Sequence, residues 1–488
     1  MDENRINQLC KDLNIDREDV KVYESSYNLL DQCELFMAKL HGEKMLISYG
    51  GGKIFDELDG RIENGYKICP LSHPNRLVIN RYLDFTKPRA FGRDVATMGL
   101  GDRLGIVTPA HIKTIQDRDI KPILAQQSKR ELNLTGRTYR DVLDDVSYAV
   151  LQEGYRGGFG ADGDHLKDEP DIKYAIEQGY TMITLDCSER LGIDHSSSEE
   201  ERYGSLPSQI REYYEDYYLQ KEFSVGDGTV EFSREGLREN VLLYGEAVEF
   251  IQEIYNRYIK NAERDIDFEV SLDETAEPTT IHGHFLVAEE LRRRGINITS
   301  MAPRFVGEFQ KGIDYIGDIH AFEKDLIAHV KIADHFGYKI SIHSGSDKFS
   351  LFDIIGKHTQ RRLHIKTSGT NWLEAIRVIA EKNPDLYRRI HEYAITRFEQ
   401  AKEFYHVTAD LARIKDLAEL SDEDLGSLLD LDDSRQLLHI TYGFILGIYE
   451  NNEDLFRKEL FDTLHQEEEK LEQNIIRHIG KHLDMLGF

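Results

Sequence analysis

Between residues 101 and 375, short apolar, β-branched runs alternate with longer stretches whose apolar positions recur at helical spacing. This is the pattern that βα units around a parallel sheet produce. Eight runs qualify as strands: RLGIVT (103–108), IKPILAQ (120–126), GGFGADG (157–163), TMITLD (181–186), DFEVSLD (267–273), INITSMA (296–302), KISIHS (339–344) and RLHIKT (362–367). Eight parallel strands close a barrel, so an α/β fold of the (β/α)8 TIM type is predicted. The intervening segments carry helix signals: residues 168–179 end on Gly179, HFLVAEELRRRG has arginines in its last turn, and residues 322–336 stop before Gly337. An open doubly wound sheet would normally show a glycine-rich phosphate fingerprint after its first strand, and none is present.

Outside this region, residues 1–100 read as a small mixed α/β appendage, in which YGGGK (49–53) lacks P-loop spacing and is taken as a turn. Residues 190–262 form an insertion after the fourth strand that contains a clear helix, GLRENVLLYGEAVEFIQEIYNRYI, and is expected to cover the pocket. Residues 376–488 read as a helical C-terminal extension that packs on the barrel or joins a homo-oligomer.

Composition narrows the functional classes. The chain of 488 residues is 40% apolar and 31% charged, as ordinary globular proteins are, with no apolar run near the roughly 20 residues that cross a bilayer. The acidic N-terminus has no signal-peptide character, so a cytoplasmic protein without a membrane partner is expected. Cys10, Cys33, Cys69 and Cys187 lie at long, irregular spacings, which fits reduced, buried thiols rather than disulfides or a zinc knuckle. The net charge of −28 disfavours nucleic acid. An anionic small molecule would need a local cluster of cations.

In a (β/α)8 barrel, chemistry gathers at the C-terminal strand ends. The third strand ends on Asp162, Asp164 and His165, the fourth on Asp186, the fifth on Asp273 and Glu274, the seventh on His343, Ser346, Asp347 and Lys348, and the eighth on Lys366. So many carboxylates at one rim require compensation, and a divalent cation such as zinc, manganese, nickel or iron is the simplest form of it. His165 and His343 are the first-choice ligands. The third is Glu308, with Asp186, Asp314 and Asp318 as competitors. On the fifth strand, Glu269, Ser271 and Asp273 share one face by alternation. Facing inward, they would offer a carboxylate for proton transfer; facing outward, Val270 and Leu272 would fill the barrel instead. SGSDKFS and TSGTNW, after strands seven and eight, resemble barrel anion-binding loops, with Ser346, Lys348, Lys366 and Arg304 as candidate substrate-binding residues.

Several long segments, SLDETAEPTT, HFLVAEELRRRGI, APRFVGEFQKGIDYIGD, FGYKISIHSGSDKFS and HIKTSGTNWLEAIRVIA, resemble the tagaturonate epimerase family. GFGADGDHLK and RQLLHITYG, the latter with Arg435, Gln436 and His439, are similar to further family segments, so the resemblance spans about residues 150 to 445. It implies interconversion of D-tagaturonate and D-fructuronate in hexuronate catabolism with a divalent metal, while some relatives act on the neutral ketohexoses tagatose and fructose. His165, His343, Asp164 and Asp273 lie in matching motifs and carry over as metal or proton-transfer positions, and His439 as a substrate-binding one. IHGHFL departs from the family pattern by having two histidines, His282 and His284, where one is expected. The inverted carbon lies β to the ketone, so its C–H is not acidified. Retro-aldol cleavage through an enediolate avoids that difficulty, with Asp164 or Asp273 as base and acid and Glu269 in reserve. The rival readings are a class II aldolase, a ketose isomerase and a non-catalytic sugar-acid binding protein.

Overall fold

The structure, a computed structural model, describes residues 3–192, 198–275, 277–447 and 455–488. Eight parallel strands close into a barrel: β1 (Thr97–Gly99), β2 (Lys121–Ser128), β3 (Gly160–Leu166), β4 (Met182–Asp186), β5 (Asp267–Leu272), β6 (Ser300–Pro303), β7 (Lys339–Ile342) and β8 (Leu363–Lys366). They pair in chain order, with β8 returning to β1. Helices follow the strands, as the hydrophobic periodicity requires: the helix Glu169–Gln178 is capped by the Asp168 side chain and stopped by Gly179 at φ 107°, and Ile319–Phe336 stops at Gly337 at φ 77°.

The first strand is a correction. The segment 103–108 wraps around Asp102, whose carboxylate accepts from the backbone N–H groups of Leu104, Gly105, Val107 and Thr108. That turn starts the helix Thr108–Ile115. The strand itself lies upstream and is only three residues long, too short for alternation to mark it.

Val270 and Leu272 point away from the barrel axis into the helical layer, whereas Glu269 points inward. The barrel interior is unusually polar. Lys366 Nζ meets Asp162 at 3.0 Å, Asp164 at 2.6 Å, Glu269 at 3.0 Å and the Thr184 hydroxyl at 2.6 Å. Below them Thr97 Oγ1 pairs with His364 Nδ1 at 2.9 Å and receives a hydrogen bond from Lys339. Burying such charges is costly unless each is paired, and here each of the three carboxylates meets the one ammonium group.

The N-terminal segment forms a five-stranded antiparallel sheet between residues 20 and 69. The insertion after β4 contributes a two-stranded ribbon and the helix Arg234–Ile254. The C-terminal helices wrap back over the barrel: Glu468–Leu486 packs on Thr108–Ile115 and Thr370–Lys382. All four cysteines are buried and unpaired. Among the described residues no helix is long and apolar enough to cross a membrane.

Candidate active site

A cavity of about 420 Å³ opens at the C-terminal ends of the strands, lined among others by Asp164, His165, Asp186, Asp273, His343 and Lys366. A backbone irregularity in β3 brings two of these together. Neighbouring strand residues normally face opposite sides, but the register of β3 against β4 advances from Gly163↔Ile183 to Leu166↔Leu185, which leaves an extra residue on β3. His165 takes up the excess in the left-handed region at φ 53°. Asp164 and His165 therefore reach the same space, with His165 Nδ1 2.7 Å from Asp164 Oδ1. A non-glycine residue at such a φ carries strain that persists only where its surroundings hold it.

His165, Asp273 and His343 each bring one donor atom within 4.8 Å of the other two. His343 Nδ1 lies 3.0 Å from Asp273 Oδ1, and His165 Nε2 lies 3.7 Å from the same oxygen. Behind them, Asp164 holds His165 Nδ1, and Glu269 Oε1 holds His343 Nε2 at 2.8 Å. Each imidazole is thus tethered through its outer nitrogen and presents the inner one to its partners. His343 Nδ1 is buried and has no hydrogen bond of acceptable alignment, a costly state for a polar atom without a ligand.

These donors fit a divalent cation. Edges of 3.0 and 3.7 Å suit atoms that each lie about 2.1 Å from one ion. Two imidazoles and a carboxylate leave further coordination positions open, as catalytic rather than structural sites do, and carboxylate-backed histidines are the usual support for such ligands.

The electrostatics follow from packing. Burial pushes the Asp164 carboxyl up, but Lys366 and His165 outweigh it and hold it well below the usual carboxylate range. Glu269 is likewise held low, burial being overcome by Lys366 and His343. Burial would depress His165, yet Asp164 and Asp273 raise it well above an ordinary histidine. Asp162, fully buried beside Lys366, is pushed up to about 6 by burial, which Lys366 only partly offsets.

Several residues expected at the site stand elsewhere or are already engaged. Glu308 is not beside the two histidines: its side chain is 46% exposed, accepts from Gln310 Nε2 and lies 3.5 Å from His406. Asp273, the residue just past β5, takes the place beside them. Asp314 accepts from Ser350, and Asp318 caps the helix Ile319–Phe336. Lys348 is fully buried and gives its three N–H bonds to the carbonyls of Gln310, Ile313 and Ser346, so it braces two loops and does not line the cavity. Lys366 lines the floor but is committed to its carboxylates. Ser346 and His439 line the cavity, and Arg304 lies in an adjoining recess that shares Arg130, Asp273, Lys311 and His343 with it. His282 meets the Glu231 carbonyl, and His284 is buried between His329 and Tyr338; neither lines the cavity.

Two cavity residues, Arg130 and Lys311, are not among the candidates drawn from the sequence, and a third, Asp186, is placed there only as a competing metal ligand. Arg130 follows β2, whose polar end QQSKR was a visible signal. Lys311 sits in the loop after β6, where no strand or helix period marks the side chains that turn toward the cavity. Asp186 Oδ2 is buried without a hydrogen-bond partner, while Oδ1 accepts from Ser188 N–H and Lys167 Nζ stands 3.5 Å from Oδ2.

A closed barrel with two carboxylate-backed histidines and an aspartate at its mouth has the architecture of a barrel enzyme, with its polar cavity at the C-terminal strand ends. Comparison with known proteins narrows this. Residues 23–486 match the tagaturonate epimerase family, and the chain belongs to it. A Tagaturonate/fructuronate epimerase of Thermotoga maritima is 41% identical over 472 residues, covering 96% of this chain and 97% of the relative. Native and glycerol-complexed crystal structures of the fructuronate-tagaturonate epimerase from Cohnella laeviribosi are 51% identical and superpose with a TM-score of 0.94 over 99% of this chain and 99 to 100% of theirs. The protein is an enzyme of the isomerase class.

Proposed function

We propose that this chain interconverts D-tagaturonate and D-fructuronate by retro-aldol cleavage and re-addition, with His165, His343 and Asp273 as protein ligands of a divalent cation. The observation that carries the reading is the buried, unpartnered His343 Nδ1 facing Asp273 and His165, with Asp164 and Glu269 tethering the far side of each ring. Family membership and the names of the relatives support the substrate pair. Zinc, manganese, nickel and iron all suit this donor set. A bound ion would supply Lewis-acid polarisation of the ketone and neighbouring hydroxyl oxygens.

The chain's own groups divide the remaining work. Asp164 accepts from His165, Gln126 and Lys366, and Glu269 from His343, Ser300, Thr184 and Lys366. Both are spent on orientation and are not free bases. Asp186 Oδ2, by contrast, is a carboxylate oxygen on the cavity wall without a hydrogen-bond partner, placed to take the proton of the β-hydroxyl. As that proton leaves, the bond between the α and β carbons breaks. Its electron pair moves into the carbonyl to give an enediolate, and the β carbon becomes an aldehyde. A half-turn of the aldehyde presents its other face, and re-addition with return of the proton to oxygen yields the epimer.

Turnover of tagaturonate by the metal-loaded enzyme in D2O, followed by NMR, tests this. Fructuronate with no deuterium at the inverted carbon is expected. Solvent deuterium there would exclude retro-aldol chemistry, accumulated fragments would make the enzyme an aldolase, and tight binding without turnover under any metal would favour a binding protein.

A further inference from the structure

Most cations around the cavity are matched by a carboxylate. Arg103 pairs with Glu131 at 2.6 Å, Lys129 with Asp171 at 2.5 Å, Lys167 with Asp186 at 3.5 Å, and Lys366 with three acids. Two are not. Lys311 Nζ donates to Ser344 Oγ at 3.0 Å. Arg130 donates to the Phe404 carbonyl at 3.1 Å and lies 4.6 Å from the centre of the Tyr405 ring, while its Nε is buried without a partner. Among the described residues no carboxylate reaches ion-pair distance of either. In a chain with 89 acidic and 61 basic side chains, surplus basic charge does not account for two unmatched cations on one cavity wall, and leaving charge unpaired there is costly. Burial, reinforced by Arg130, holds the Lys311 ammonium below its ordinary range.

Two further features face the same region. His439 is 1% exposed and lines the cavity, yet neither ring nitrogen has a hydrogen-bond partner. It reaches that position because residue 369 is glycine: a Cβ there would stand 2.4 Å from His439 Cε1 and 2.5 Å from Nε2. Gly369 also opens the 13-residue helix Thr370–Lys382, and no side chain caps that terminus. Unmatched cations, an unpartnered imidazole and an uncapped helix start are the elements of an oxyanion cradle.

We infer that Lys311, Arg130 and His439 form the subsite for the substrate's terminal carboxylate and make the enzyme prefer a uronate to the corresponding neutral ketose. This rests on the function proposed above and deepens it. The inverted carbon lies between the ketone and the carboxylate, so cleavage leaves the carboxylate on the aldehyde half. A carboxylate anchor would retain that half while the aldehyde turns.

The test compares binding of an unreactive sugar acid, galactonate, with its neutral counterpart galactitol, by calorimetry on the metal-loaded enzyme. The wild type should favour galactonate. Lys311→Met and Arg130→Gln should each weaken galactonate by about 10- to 100-fold, the worth of a charge-assisted hydrogen bond, and leave galactitol nearly unchanged. Lys331→Met, which removes an exposed lysine paired with Asp227, is the control for loss of one positive charge. Ligand-free Lys311→Met should melt no lower than the wild type, because an unmatched ammonium has been removed. In kinetics the same variants should raise KM for tagaturonate far more than for tagatose. Equal losses for charged and neutral ligands, or a wild type indifferent to the carboxylate, would overturn the subsite. Failure of the wild type to epimerise tagaturonate would instead refute the proposed function and leave the binding contrast to be judged separately.

Discussion

Among the described residues two clusters have the same makeup, two histidines and an aspartate with donor atoms within 4.8 Å, and their donors point differently. In the cluster of Asp347, His478 and His482, His482 Nδ1–H donates to the His478 carbonyl at 2.8 Å, which leaves the lone pair on Nε2. The backbone N–H of Asp347 takes that lone pair at 3.0 Å. Asp347 is matched by Arg435 at 2.7 Å and His478 at 3.2 Å, and His478 also meets Thr370. Both nitrogens of His482 are consumed within the cluster, and Asp347 Oδ1, without an aligned hydrogen bond, stands 3.2 Å from His478 and 3.5 Å from His482. At the barrel mouth the outer nitrogens are satisfied and the inner ones converge on shared space. Proximity of metal-binding residue types is therefore insufficient; the direction of the lone pairs separates a binding site from a strut. The strut has its own purpose. It ties the loop after β7, where Ser344 and Asp347 both adopt left-handed φ values of 49° and 61°, to the C-terminal helix Glu468–Leu486.

This contrast can be broken at several points. The largest effect is expected from His343→Ala, which should lower kcat/KM by about 10³-fold or more, measured with saturating metal. Glu269→Gln, which weakens the tether behind His343 and removes one of the three carboxylates around Lys366, should weaken metal affinity by about 10- to 100-fold in a competition titration with a chelator. His482→Ala strands the buried Asp347 N–H and should cost about 1–3 kcal/mol in denaturant unfolding, with partial recovery in His482→Gln, whose carbonyl can accept that bond.

A further effect concerns pH. Burial, aided by His478, pushes His482 down to about 3, below its unfolded value of about 6.5. The unfolded chain then binds more protons between these values, so this contribution to stability is present above about pH 6.5 and is lost as pH falls toward 3. Wild type should lose stability below pH 6.5 more steeply than His482→Gln, by at most about 1.4 kcal/mol per pH unit, in melting curves taken across that range.

The sequence made most of the barrel legible because seven of its strands are longer runs or end in polar residues, and because Gly179 and Gly337 mark helix ends. β1 was missed because its three residues carry no period and Asp102 turns the following apolar run into a helix start. At the site, His165 and His343 could be read from strand ends. The pairing of Asp164 with His165 could not, since it depends on a bulge. Nor could periodicity decide which face of β5 points inward; the Lys366 ammonium at the barrel centre answers that by drawing Glu269 toward it. Glu308 was favoured for its closeness to a strand end, but its bridge to Ile316 turns that loop back on itself. His439 reaches the cavity from the C-terminal extension, a long-range contact that no local pattern encodes.

The most direct test of the account is the metal content of wild type, His343→Ala and His482→Ala after purification, reconstitution and removal of loosely bound ions. One ion per chain is expected in wild type and in His482→Ala, and none in His343→Ala. An ion retained by His343→Ala and lost from His482→Ala would place the metal at the other cluster and contradict the central claim.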